Sequence, residues 1–276
     1  MPHYEAMLET NYLVNHSVPL GNYRQYYSCG GAFATAHWSN AHTLENGRNM
    51  LIEGCSWGKV AIRQIYPDFW WGYDRVNVGD DDDDDEKAWR ECLFYFYRTL
   101  FLWIGTTSIE DWAAALEIWR TILGDRFPEP SILINNTFPC NRISKHEATE
   151  KSFLHCLQQA HEHENNLYRN QLLRLTNGLL REHAVCITDL KDLIRTRDTV
   201  KEGDEVFVAR GCSVALILRP TSEEKARQAV REDSKSNLDL KVRELVAAAY
   251  VNGIMDGEAI QKVNDGEIKE EYLLLV

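Results

Sequence analysis

The sequence predicts an α+β protein: a mainly helical N-terminal and middle region over residues 1–182, then a small antiparallel β-sheet or partial barrel over residues 183–276. Three observations predict it. Apolar and aromatic residues recur at helical spacing between Lys87 and Leu123. After Ala184 the pattern changes to short runs rich in β-branched residues, separated by glycines. Between the two lies DRFPEPSILINNTFPCNR, whose three prolines suit a connector and not a regular element.

Taken in order, the first 45 residues are weakly patterned, with Gly30-Gly31 and many polar aromatics. Met50–Gly54 reads as a short strand ended by its glycine, and Cys55–Ile65 shows no decisive period. Residues 79–86, GDDDDDDE, read as a disordered acidic loop, because adjacent like charges repel and cannot be buried together. A calcium loop would need spaced ligands around a glycine turn, which this run lacks. Lys87–Ile104 is predicted to be a helix apolar on most sides, and such a helix belongs inside a fold. In the next helix Ser108 is the expected cap, Glu110 and Asp111 lie in the first turn, and Gly124 ends it. Ser144-Lys-His-Glu147 has the capping-box form and opens a third helical region towards Arg181. A break is expected there near Asn165-Asn166 or Asn177-Gly178.

Strands are then predicted at Val185–Ile187, Glu205–Ala209 and Ser213–Leu218, with Gly211 as the hairpin turn between the last two. A charged stretch, Glu223–Asp239, separates them from a buried strand at Leu245–Val251. Asn252-Gly253 is a strong turn signal. Asp256 is then expected to cap a short helical turn through Glu258, Ala259 and Ile260, and Tyr272–Val276 to form a closing strand.

Composition excludes several functions. The net charge is −12, and Asp80–Glu86 supplies seven of those negative charges. No basic face of the kind that phosphate backbones attract is visible, so no nucleic-acid partner is expected. Seven scattered cysteines without a C-x-x-C pair argue against a disulfide framework or zinc ribbon and for a reducing compartment. Two sequons, at Asn15 and Asn135, lack an accompanying signal-peptide pattern. The longest apolar stretch, Cys92–Ile104, contains Arg98 and is too short to cross a bilayer. The expectation is a cytoplasmic protein with no membrane partner.

Three groups carry possible chemistry. His155, Cys156, His161 and His163 suggest zinc, but on a helix residues two apart point about 200° from each other. They read as a solvated helical face, with no metal and no cofactor. Cys212 beside Gly211 could be a reactive thiol, yet the sequence supplies no base for it. Asp256 and Glu258 could form a catalytic acid pair, but backbone capping at a strand-to-helix turn explains both.

Two stretches carry a family likeness: KEGDEVFVARGCSVALILRP at Lys201–Pro220 and VRELVAAAYVNGIMDGEAI at Val242–Ile260. Together they resemble the C-terminal end of fungal heterokaryon-incompatibility (HET) domain proteins. The residues that carry the likeness are Gly203, Asp204, Gly211, Leu218, Arg219, Pro220, Tyr250, Gly253, Met255, Gly257 and Glu258. Cys186-Ile-Thr188 resembles the strand that usually precedes them, with weaker echoes in MLIEGCSWGKV near Met50 and FYRTL at Phe96–Leu100. Asn252 stands where the family commonly has histidine, and the recognisable sequences of the HET domain itself are absent. The resemblance therefore implies a post-HET region, as a truncated gene product or a stand-alone relative. It implies a non-enzymatic regulatory or interaction role in nonself recognition, partnered by another protein or by a missing N-terminal HET domain. The alternatives are a small hydrolase using Asp256 and Glu258 or Cys212, and a remnant without independent function.

Overall fold

The structure is a computed structural model that describes residues 42–43, 49–65, 111–128, 140–145, 147–162, 183–212, 214–232 and 240–276. The acidic run, the helix expected at Lys87–Ile104, Ser108, His163, the FYRTL echo and the two expected helix breaks lie outside them. The chain divides into two compact units: Met1–Arg63 with Cys186–Val276, and Gln64–Val185.

The elements in chain order are β1 (His42–Thr43), β2 (Met50–Ile65), α1 (Trp112–Leu123), β3 (Arg126–Pro128), β4 (Cys140–Arg142) and α2 (Glu147–Glu162). After these come β5 (His183–Thr188), β6 (Leu193–Arg197), β7 (Glu205–Ala209), β8 (Ala215–Pro220), α3 (Glu223–Glu232), β9 (Lys241–Val251), α4 (Glu258–Asn264) and β10 (Glu271–Leu275). Among the described residues strand exceeds helix, 42% against 30%, so the expectation of a mainly helical chain with a small C-terminal sheet is overturned.

What replaces it is a closed ladder. The main sheet runs β1-β2-β5-β6-β9-β8-β7, and β7 also pairs antiparallel with β2, so the path from β2 returns to β2. Closure leaves no open edge along that ring, the usual solution for a strand-rich unit. β10 fits between the first half of β2, antiparallel, and the start of β9, parallel. The sheet thus depends on β2, of which the sequence predicts as strand only Met50–Gly54.

Gly54 explains why β2 was misread. A glycine after a short apolar run looks like a strand end, yet β2 continues through it to Ile65. A Cβ at Gly54 would stand 2.1 Å from the Val208 carbonyl oxygen and 2.8 Å from the Phe207 ring. The glycine is there because β7 passes close, not because the chain turns. The same holds at Gly58, where a Cβ would meet Asp189 Oδ1 at 2.8 Å. Between Ser56 and Gly58 the register against β7 shifts, a bulge that bends this long strand.

Residues directly opposite on neighbouring strands share a face. Ala249 lies opposite both Ala215 and Thr196, while Leu216 lies opposite Phe207 on one side and Ala248 on the other. β5 and β7 are buried along their whole length, which removes the in–out alternation expected of a sheet with one wet face. On the β9–β10 side, α3 lays Ala229 against Val242 and Leu274.

The other unit is ordered around α1. Asp111 caps it, accepting a hydrogen bond from Ala114 N at 3.1 Å, so the cap is not the expected Ser108. Gly124 ends the helix in the left-handed conformation, as the sequence predicts. Trp119 meets Phe153 of α2 edge to face, with ring centroids 6.3 Å apart. Asp125 is fully buried and has φ of 58°. Its carboxylate accepts from Arg120 Nε at 3.0 Å, Arg142 Nε at 2.9 Å and Ser144 N at 3.0 Å. Ser144 Oγ also donates to Asp125, so this serine serves the α1–β4 junction and not the expected capping box.

Candidate functional site

Most residues that carry the family likeness occupy two places on the barrel, and Gly211 lies apart from both in the β7–β8 turn. The first is the loop before β7. Asp204, 3% exposed, accepts from Arg219 Nε at 2.8 Å and Nη2 at 2.7 Å, a two-pronged charge-assisted pair. Asp204 Oδ2 also accepts from Lys201 N at 2.8 Å, and Arg219 Nη2 donates to Thr199 O at 3.1 Å. Arg219 therefore sits at the end of β8 and holds the whole Thr199–Asp204 turn, and its bond to Asp204 raises its pKa. Gly203, at φ 87°, lets that turn form, and its N–H donates to Val60 O at 2.8 Å. Gly211, at φ 80°, makes the β7–β8 turn.

The second place is the exit from β9. Tyr250 is buried opposite Arg195, itself only 1% exposed. Asn252 N donates to Leu193 O at 3.0 Å, and its side-chain oxygen lies 3.5 Å from Tyr250 Oη. Gly253 turns the chain at φ 88°, with nothing within 4 Å of where a Cβ would stand. Met255 Sδ accepts from Val251 N at 3.4 Å, which stitches the turn back onto β9. At the start of α4 the cap position is Gly257, with φ of 96° and no side-chain cap, where the sequence suggests Asp256. Glu258 Oε2 instead accepts from Asp256 N at 2.8 Å, so this carboxylate is held across the helix start.

A third cluster joins α4 to β2, and the sequence reading missed it. Trp57 Nε1 donates to Asp192 Oδ2 at 2.6 Å, and Lys262 Nζ of α4 lies 5.0 Å from the centroid of the Trp57 ring. Thr188 Oγ1 accepts from Asp192 N at 3.0 Å, and Asp189 Oδ1 accepts from Lys59 N at 2.9 Å. Burial raises the Asp192 pKa against the Trp57 and Thr188 hydrogen bonds, which pull it down. The only hint in the sequence was the Trp-Gly-Lys echo at Trp57–Lys59, and nothing local links it to Asp189 or Asp192.

The thiols are enclosed. Cys212 is 3% exposed, and its N–H donates to Ala209 O at 3.0 Å in the turn. Burial pushes Cys55 up to about 11 and Cys186 up to about 12, so both are neutral thiols at physiological pH. Of the histidine group, His155 and His161 fall within α2, and no cluster of three metal-ligating side chains occurs among the described residues. No helix among those residues is long and apolar enough to cross a membrane. Each family-like residue with a visible partner therefore shapes a turn or ties one strand to another. Comparison with protein-family models, with characterised proteins and with solved structures finds no match for the chain.

Proposed function

We propose that this chain is a non-enzymatic regulatory or interaction region of the fungal heterokaryon-incompatibility type, acting in the cytoplasm on a protein partner or a HET domain. One observation carries the reading. The two sequence stretches that resemble the family meet in one closed ladder, where they act as its fasteners: Asp204 with Arg219, and Met255 with Val251. A signature spent on turns and strand ties suits a module recognised by its surface. The hydrolase alternative is less well supported, because Glu258 is engaged by a backbone N–H and Cys212 is buried.

The test is expression in a filamentous fungus, with the chain alone and with a HET domain supplied on the same or a separate chain. Growth arrest should depend on the chain being folded. Arg219→Ala should abolish it, and Glu258→Gln and Cys212→Ala should leave it intact. Hydrolysis of an ester, peptide or nucleotide by the purified chain, lost in a well-folded Glu258→Gln or Cys212→Ala protein, would overturn the proposal.

A further inference from the structure

Trp57 is shared by two opposite charges. Its indole Nε1–H donates to Asp192 Oδ2 at 2.6 Å, a short charge-assisted bond. Lys262 Nζ of α4 lies 5.0 Å from the centroid of the same ring, within reach of its negative face. Thr188, at the end of β5, holds the aspartate from another side. Its Oγ1 accepts from Asp192 N at 3.0 Å and lies 3.5 Å from Asp192 Oδ2. Among the described residues, the charged groups that act on Asp192 are Lys262, from α4, and Asp189, from its own turn. β2 presents the uncharged indole and β5 the Thr188 hydroxyl, while Lys59, two residues along β2, meets Asp189 through its backbone N–H.

An indole whose N–H is bonded to an anion carries more negative charge over its ring, so a cation above it is held more firmly. The Lys262 ammonium and the Asp192 charge thus reinforce each other, and linkage makes the reinforcement mutual. Whatever Lys262 does to favour the carboxylate, the carboxylate does equally to keep Lys262 on the ring. Lys262 is exposed, so it can leave the ring without opening the core.

We infer that Trp57 and Lys262 form a charge-gated latch, in which ionised Asp192 seats α4 on β2 and protonated Asp192 loosens it. The inference does not rest on the functional reading above. Burial, the largest influence, raises the Asp192 pKa, so this carboxyl takes up its proton at higher pH than an ordinary aspartate. The global and local effects have opposite signs. A raised folded-state pKa means that the stability linked to Asp192 is full below the unfolded value and is lost as pH rises through the folded one. The latch instead closes as pH rises through that same folded value.

NMR on the full chain tests it. The Asp192 carboxyl is titrated in the parent and in Lys262→Met, which keeps a long side chain and removes its charge. The variant should bind the Asp192 proton about two- to fivefold more tightly. The amides of Gln261 and Asp265 bond to Gly257 O and Gln261 O at 2.9 Å. Their exchange should quicken severalfold, beyond its intrinsic pH dependence, as the parent is acidified through the Asp192 titration. In Asp192→Asn both rates should be fast and lack that step. Trp57→Phe, which keeps a ring but no N–H, should remove most of the effect of Lys262→Met on Asp192. Identical Asp192 titrations in the parent and Lys262→Met would overturn the inference, as would α4 rates indifferent to Asp192. An undiminished Lys262→Met effect in the Trp57→Phe background would overturn the part given to Trp57.

Discussion

Single residues decide the barrel where two strands need the same space or one turn needs an unusual backbone. Arg219 and Asp204 are unequal partners, since Asp204 is buried and Arg219 keeps 31% of its side chain in water. Removing Arg219 leaves an enclosed carboxylate without its cation, whereas removing Asp204 leaves a guanidinium that water can reach. Arg219→Ala should cost about 3–5 kcal/mol and Asp204→Ala nearer 2–3 kcal/mol, measured by urea unfolding. Equal costs, or costs under 1 kcal/mol, would mean the pair is ornamental. Gly253 and Gly54 separate two reasons for glycine. At Gly253 the space is open and φ is 88°, so Gly253→Val should lose about 1–3 kcal/mol through backbone strain, and Gly253→Asn much less. At Gly54 the obstacle is the Val208 carbonyl, so even Gly54→Ala should be worse than Gly253→Ala in the same assay.

At the scale of elements, the ties between strands titrate. Burial alone would raise the pKa of Glu205, but the Ser56 hydroxyl and the Arg243 guanidinium, 2.9 Å away, outweigh it and hold the carboxyl below its usual range. A depressed folded-state pKa gives stability that is present above the unfolded value and disappears as pH falls through the folded one. Tm of the parent should therefore exceed that of Glu205→Gln at pH 7, with the gap closing as pH drops below about 4. A gap that widens on acidification would contradict the assignment. Elements also show where the sequence was readable. Gly211 and Gly253 betrayed their turns, because a positive φ leaves a glycine that needs no distant partner to interpret. Leu193–Arg197 was missed, since LIRTR has no flanking glycine and its burial comes from strands β5 and β9. α3 was hidden because the helix is mostly charged: EEKARQAVRE offers few apolar residues to mark a period, so the run looked like a linker.

For the whole molecule the lesson lies in β2. Its meaning depends on Phe207, Val208 and Asp189, all more than 100 residues away, so no local window could show that Gly54 and Gly58 lie inside a strand. The local turn signals at Gly211 and Gly253 located turns of the barrel, but nothing local located its closing strand. β2 and β5 are neighbours in the ladder, and Lys59 exchanges hydrogen bonds with Asp189. Residues 66–182 separate β2 from β5 along the chain. Replacing them with a short polar turn should leave a barrel that melts cooperatively; a chain with no strand signal by circular dichroism would show that the segment is needed for folding.

Closure by β2 is the central claim, and backbone NOEs across the ladder test it most directly. The registers Cys55↔Val208 and Ser56↔Phe207, together with Leu274↔Val242, require close contacts between those pairs. The account predicts that all three are observed in the full chain. Strong contacts within β7–β8 and β8–β9, with none between β2 and β7, would mean an open C-terminal sheet and would contradict it.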